Sequence, residues 1–170
     1  MIRIIAVDKI KEKSIKNSID IYLKRLENRL KLDIIEVPSV NYQYFDCIKK
    51  AINVEGEKII DKLSGGYKNK ITHTRSQPSG LERNFIITLD ENGSQFTSIE
   101  FSKMISETLN YKQIIFILGG AFGLSENVLK QSNLVLSISK MTFTHEMARL
   151  FLIEQIYRAF MIYSNAKYHN

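Results

Sequence analysis

Short unbroken apolar runs alternate along this chain with longer stretches in which apolar residues return every three or four positions. Ile2–Val7 (IRIIAV) is the first such run and suits a strand covered on both faces. Residues 14–30 then place Ile15, Ile19, Tyr22, Leu26 and Leu30 at helical spacing among lysines and acids, which predicts a surface helix. Leu32–Val37 (LDIIEV) reads as a second strand stopped by Pro38. A second helix is predicted over 42–63, with Ile48, Ile52, Ile59, Ile60 and Leu63 on its inner side and Gly56 as an interruption. Residues 64–83 keep no period and are rich in Gly, Ser, Lys and Arg, the pattern of a long loop. Residues 85–89 (FIITL) predict a third strand, closed by the turn Asp90-Glu91-Asn92-Gly93. Thr97 and Glu100 form a capping-box pair that opens a helix to about Leu109. The runs 114–118 and Leu134–Leu136 predict the fourth and fifth strands, with a glycine turn and a short helix between them. A long final helix is predicted over 144–163.

Strands that are apolar throughout, alternating with helices, argue an α/β fold: one parallel sheet flanked by helices on both faces, in a single domain spanning 1–170. The final helix is apolar on nearly every side, from Met147 and Leu150 to Phe160 and Ile162. Such a wide stripe predicts that part of it meets another subunit, with burial inside the chain as the alternative.

Composition narrows the partners. A formal charge of +6 and a pI near 9.3 favour a polyanionic partner over an acidic one. Cys47 is the sole cysteine of 170 residues, so an internal disulfide and a cysteine-rich zinc site are both excluded. Its neighbours FDCIKKAI read as helical, which predicts a small core thiol. No apolar run approaches membrane-spanning length and the N-terminus has no leader pattern, so a cytoplasmic protein without a membrane partner is expected.

Candidate chemistry concentrates after the fourth strand. Gly119-Gly120-Ala121-Phe122-Gly123 is not a dinucleotide fingerprint, because Leu118 stands where the first glycine is needed. A phosphate-binding P-loop is excluded too, since no Gly-Lys-Ser/Thr follows. If the last three strands are neighbours, their exits at Leu89, Gly119 and Ile138 surround one pocket with apolar walls and free backbone groups, with no fixed charge at its centre. That suits a planar heterocycle such as adenine. Thr142, Thr144, His145 and Arg149 follow the last loop, with His145 and Arg149 on one helix face. Glu154 and Arg158 form a similar pair, which solvated ion pairing explains. Lys167, Tyr168 and His169 form a basic, aromatic tail that either is terminal ballast or folds over the pocket to stack on a base.

The stretch FILGGAFGLSENVLKQSNLVLSISKMTFTHEMARLFLIEQIYRAFMI…YH, with the opening IRIIAVDKIKEK…YLKRL, the central VEGEKII and the turn LDENG, resembles the SPOUT-class ribosomal RNA methyltransferase H family. The resemblance implies methylation of N3 of a pseudouridine in large-subunit ribosomal RNA, with S-adenosylmethionine as methyl donor and no metal. It implies a deep trefoil knot in the C-terminal segment, an exception to unknotted chains, and a homodimer packed through it. By motif match the cofactor contacts fall on Leu89, the double glycine Gly119-Gly120, and Ile138, Ser139, Lys140, Met141, Thr142 and Phe143. Catalytic candidates are His145 and His169 for the N3 proton, Arg149 or Arg158 for charge or phosphate, and Tyr168 for stacking on the extruded base. Asp8 departs from the glycine usual in the opening turn, Thr144 from a common proline, and the 64–83 loop is long and basic. A SPOUT enzyme acting on another RNA, or a non-catalytic ribosome-binding module, are the alternatives.

Overall fold

A computed structural model describes residues 1–63 and 84–164, so the 64–83 loop and the tail beyond 164 lie outside the described residues. Five strands, β1 (Ile2–Val7), β2 (Leu32–Val37), β3 (Asn84–Ser94), β4 (Gln113–Leu118) and β5 (Leu134–Leu136), form one parallel sheet in the order β2-β1-β4-β3-β5. The unbroken apolar runs come from burial on both faces: every residue of β4 is buried, and β1 is buried at all but Arg3.

Helices α1 (Lys13–Leu26), α3 (Ser98–Glu107) and α5 (His145–Tyr163) cover one face, and α2 (Ile48–Leu63) with the single turn α4 (Glu126–Leu129) covers the other. Ile4, Ala6, Phe116 and Leu118 point into the first layer, against Ile19, Phe101, Leu152 and Ile156. Ile5, Val7, Ile115 and Ile117 point into the second, against Ile59 and Val128. Alternate residues of each strand thus serve different layers.

The connections define where ligands are received. From β1 the chain turns toward β2 on one side, whereas from β4 it passes over β3 to reach β5 on the other. The carboxyl ends of β1 and β4 therefore flank a topological switch point, where open α/β sheets leave a crevice.

Several local expectations are corrected. The first helix ends at Leu26 rather than Leu30, because the amides of Arg29 and Leu30 both return to the Leu26 carbonyl in a turn. The second helix starts at Ile48, not at 42. Residues Tyr42–Tyr44 make a separate 3-10 turn, capped by the Asn41 side chain and tied to α2 through the Tyr42 hydroxyl on Glu55. Cys47 falls in the bend between the two and is exposed, so it is not a core thiol. Gly56 leaves α2 unbroken, since a Cβ there would lie 2.2 Å from Ser125 Oγ and the missing side chain lets α4 approach. The third strand does not close at Leu89: Leu89 and Ser94 both register with Leu136, and residues 90–93 bulge out between them.

The apolar girth of α5 is met largely inside the chain. It lies between α1 and α3 and on the sheet, with Ser102 Oγ donating to the Ala159 carbonyl at 2.8 Å and the Tyr22 and Tyr157 rings 5.7 Å apart. Burial within the chain thus accounts for Leu152, Ile153, Ile156 and Met161. Phe151 and Met147 stay half-buried, and Phe143 packs edgewise on Phe151.

Candidate active site

The exits of β3, β4 and β5 do converge. They bound a cleft of ≈ 350 Å³, within the usual size of small-molecule sites at about 300–1,000 Å³. Leu89, Leu118 and Leu136 supply its apolar floor. The loop after β4 supplies backbone. Gly119 packs so tightly that a Cβ would lie 2.5 Å from the Gly123 carbonyl oxygen, and Gly123 itself takes φ +82°. Its amide returns to the Gly120 carbonyl at 3.3 Å, and Phe122 is held from outside by the Tyr42 ring at 4.4 Å.

The loop after β5 forms the opposite wall and is ordered by its own hydroxyls. Ser137 Oγ donates to the Ser139 carbonyl at 2.8 Å, and Ser139 Oγ accepts from the Met141 amide at 3.0 Å. The Ser137 amide donates to the Ser94 carbonyl across the bulge. Thr144 then caps α5 by accepting from the Met147 amide.

Of the residues expected to hold a cofactor, Leu89, Gly119, Gly120, Ile138, Ser139, Met141, Thr142 and Phe143 all line this cleft. Lys140 is exposed and lies outside the lining, because the tight turn made by Ser139 and Met141 directs it outward. Asp90 and Glu91 were not anticipated. The bulge in β3 swings them onto the rim, so a lining expected to be free of charge carries two carboxylates. The sequence signal was the Asp-Glu-Asn-Gly turn, legible as a turn but not as one from which the strand resumes. Such a lining can seat a planar apolar group, bond its edge through main-chain groups, and attract a cation at the rim.

His145 and Arg149 share a helix face, as their spacing predicts, but do different things. His145 lines the cleft; its Nε2 is buried with no hydrogen-bond partner and lies 4.0 Å from Glu146 Oε1. Arg149 is 2% exposed and its guanidinium is engaged: Nη1 donates to Glu36 at 2.8 Å, and Nη2 to the Asp8 carbonyl at 2.6 Å and, longer, to the Val7 carbonyl. It holds the end of β1, not an open ligand position. Arg158 pairs with Glu154 at 2.6 Å on the same helix, away from the cleft lining. Tyr168 and His169 lie outside the described residues.

Glu146, buried beside His145, was also missed. Its carboxylate accepts the amides of Lys11 and Glu12 at 2.9 and 3.2 Å. The Lys11 amide holds it below the usual carboxylate range, against the opposing effect of burial and with help from the Glu12 amide. Together Glu146 and Arg149 latch the loop after β1. Asp8 begins that loop at φ 66°, the left-handed conformation that a glycine enters without strain, and its carboxylate bonds the Lys9 amide and Lys11 Nζ, both at 2.9 Å. Among the described residues no group of His, Cys, Asp and Glu is placed to hold a metal, and no helix is long and apolar enough to cross a membrane.

A family model described as "Predicted SPOUT methyltransferase" matches residues 1–169. Curated relatives named ribosomal RNA large subunit methyltransferase H include one from Streptococcus suis, 41% identical over 99% of this chain and 98% of the relative. Another, from Flavobacterium johnsoniae, is 36% identical over the same shares. A solved structure of a probable methylase family protein from Haemophilus influenzae Rd KW20 superposes with a TM-score of 0.52 at 18% identity, covering 99% of this chain and 70% of that one, a likeness of fold.

Proposed function

The chain belongs to the SPOUT methyltransferase family, and from that premise we propose that it methylates N3 of a pseudouridine in large-subunit ribosomal RNA, using S-adenosylmethionine. The observation that carries the reading is the cleft at the ends of β3, β4 and β5, whose glycine-cradled apolar lining with an acidic rim fits that donor. Its relatives are named for the same class of substrate.

Leu89, Leu118 and Leu136 would hold the adenine ring, and the main chain at Gly119 and along 138–142 would bond its edge and the ribose. Asp90 and Glu91 would face the donor's positive charges. When bound, S-adenosylmethionine supplies a methyl group on a cationic sulfur that leaves as a neutral thioether. The protein's task is therefore placement, and effective molarities for oriented reactants account for about 7–11 kcal/mol of a barrier. His145 stands at the cleft with a free nitrogen, suited to orient the N3–H of the acceptor or take its proton. Arg149 acts through the β1 end that it secures and is a positioning residue. Tyr168 and His169 are assigned to the acceptor base by the resemblance alone.

The same reading includes a knotted C-terminal path and a homodimer. Exposed apolar side chains beside the cleft support the dimer: Met141 is 73% exposed, and Phe122 and Phe143 are also open, surfaces that a second copy would cover.

Isothermal titration with S-adenosylmethionine, followed by methyl transfer to whole ribosomes, isolated subunits and bulk transfer RNA, tests the proposal. Methyl mapped to a pseudouridine of the large subunit is the expected result. Methyl on transfer RNA would make this a family member with another substrate. Ribosome binding without cofactor affinity would make it a non-catalytic module.

A further inference from the structure

A second cleft of ≈ 390 Å³ opens at the ends of β1 and β2, lined by Asp8, Ser39, Asn41, Tyr42, Gln43 and His145, with Gly120, Ala121 and Phe122 closing it toward the first cleft. We propose that this second cleft receives the uracil-type ring that accepts the methyl group, leaving the first cleft to the donor. The proposal rests on the methyltransferase reading and assigns its second substrate a place.

Position is the first argument. This cleft sits at the switch point between β1 and β4, where an open α/β sheet offers its natural crevice, while the donor cleft lies further along at β3 and β5. Two ligands are thereby given separate exits of one sheet. The partition between them is thin: Gly120, Ala121, Phe122 and His145 line both clefts. A ring in one and a methyl donor in the other meet across a single loop and one imidazole.

Chemistry is the second. A pyrimidine imide edge presents an N–H between two carbonyl oxygens, so its complement alternates donors with an acceptor. Asn41 commits its Oδ1 to the Gln43 amide at 3.0 Å, which leaves the Asn41 side-chain NH₂ as a donor. His145 Nε2 has no partner among the described residues. The Tyr42 and Phe122 rings, already in edge contact at 4.4 Å, give the ring faces to pack on.

Rigidity is the third. Glu55, 2% exposed in mid-helix, accepts the Val40 amide at 2.9 Å and the Tyr42 hydroxyl at 3.1 Å. Burial, and then the Glu55 charge, raise the Tyr42 phenol far above its ordinary range, so it stays neutral as a fixed donor. Across the cleft, Glu146 secures Lys11 and Glu12 while Arg149 secures Asp8. Buried carboxylates spent on loop backbone on both sides make a preorganised receptacle.

Ser39→Trp and Gln43→Trp fill the cleft from exposed positions that line the second cleft and not the first. The full chain carrying either change should keep its melting temperature and its affinity for S-adenosylmethionine. Its kcat/KM on ribosomes should fall by at least about tenfold, the scale of losing one stacked base. In parallel, a short RNA hairpin carrying 4-thiouridine should photo-crosslink to the peptides holding Tyr42 or Phe122, and the tryptophan variants should abolish that crosslink. Unchanged turnover in both variants, or crosslinks confined to other surfaces, overturns the subsite while leaving the methyltransferase reading intact. A wild-type protein that neither binds the donor nor methylates RNA overturns both.

Discussion

Replacing Gly119 by alanine tests the donor cleft with the smallest possible change. The added Cβ would stand 2.5 Å from the Gly123 carbonyl oxygen and 2.6 Å from its carbon, both main-chain atoms without a rotamer to escape through. Normal contact begins near 3.4 Å, so the 119–123 loop must open by about 1 Å, and overpacking of this kind costs about 1–3 kcal/mol. Because the loop is the cleft's wall, that strain falls on the geometry that binds the donor. At about 1.4 kcal/mol per decade, affinity should drop by about 5- to 150-fold. Gly56→Ala is the control. Its Cβ would meet Ser125 Oγ at 2.2 Å, a worse overlap but one between α2 and α4. It should lower the melting temperature while leaving donor affinity near wild type. Titration calorimetry and thermal melts on the two variants give the comparison. Gly119→Ala binding the donor within twofold of the parent would refute the claim that this backbone cradle is the site.

Arg149→Ala should cost about 3 kcal/mol of stability, the low end for breaking a buried ion pair, since Glu36 is 35% exposed and can rehydrate; chemical denaturation measures it, and a loss under about 1 kcal/mol would mean the β1 end holds without the guanidinium. The backbone amides on Glu146 hold its carboxyl below the ordinary glutamate value of 4.5 in the folded chain, so its contribution to stability is present above about that pH and lost as pH falls through the lowered folded value. Glu146→Gln should therefore flatten the acid limb of a melting-temperature profile, and an unchanged limb would show that Glu146 does not carry it. Deleting residues 168–170 should cripple methylation while sparing donor affinity, whereas full turnover by the shortened chain would remove Tyr168 and His169 from the chemistry.

What could be read before folding depended on how local its cause is. The runs in β1 and β4 announced central strands because burial on both faces leaves no polar position to break them. The capping box at Thr97 was legible for the same reason: Thr97 and Glu100 satisfy each other's backbone amides within one turn. The start of α2 was misplaced because Tyr42 fits the helical period yet spends its hydroxyl on Glu55, 13 residues away. Asp90 and Glu91 reach the cleft only because a strand resumes its register after a bulge, which no spacing encodes. Arg149 looked like a cation awaiting a ligand. Its partners are carbonyls of the opposite end of the chain, invisible to any window of sequence. The departure at Asp8 was visible as a residue type, and its meaning, a left-handed turn, came only with the backbone.

The tie between Arg149 and the carbonyls of Val7 and Asp8 spans 142 and 141 positions, and β1 finds its central neighbour only in β4. During synthesis the first strand therefore emerges early and waits, with one edge open, until more than a hundred further residues have left the ribosome. Contacts of such separation make folding slow and leave an unpaired edge at risk of joining another nascent chain. The second cleft gains its His145 wall only when the last helix arrives, so a partly made polypeptide has nowhere to seat a base. Neither arm of the molecule works alone; completion of synthesis is itself the switch that turns the chain on.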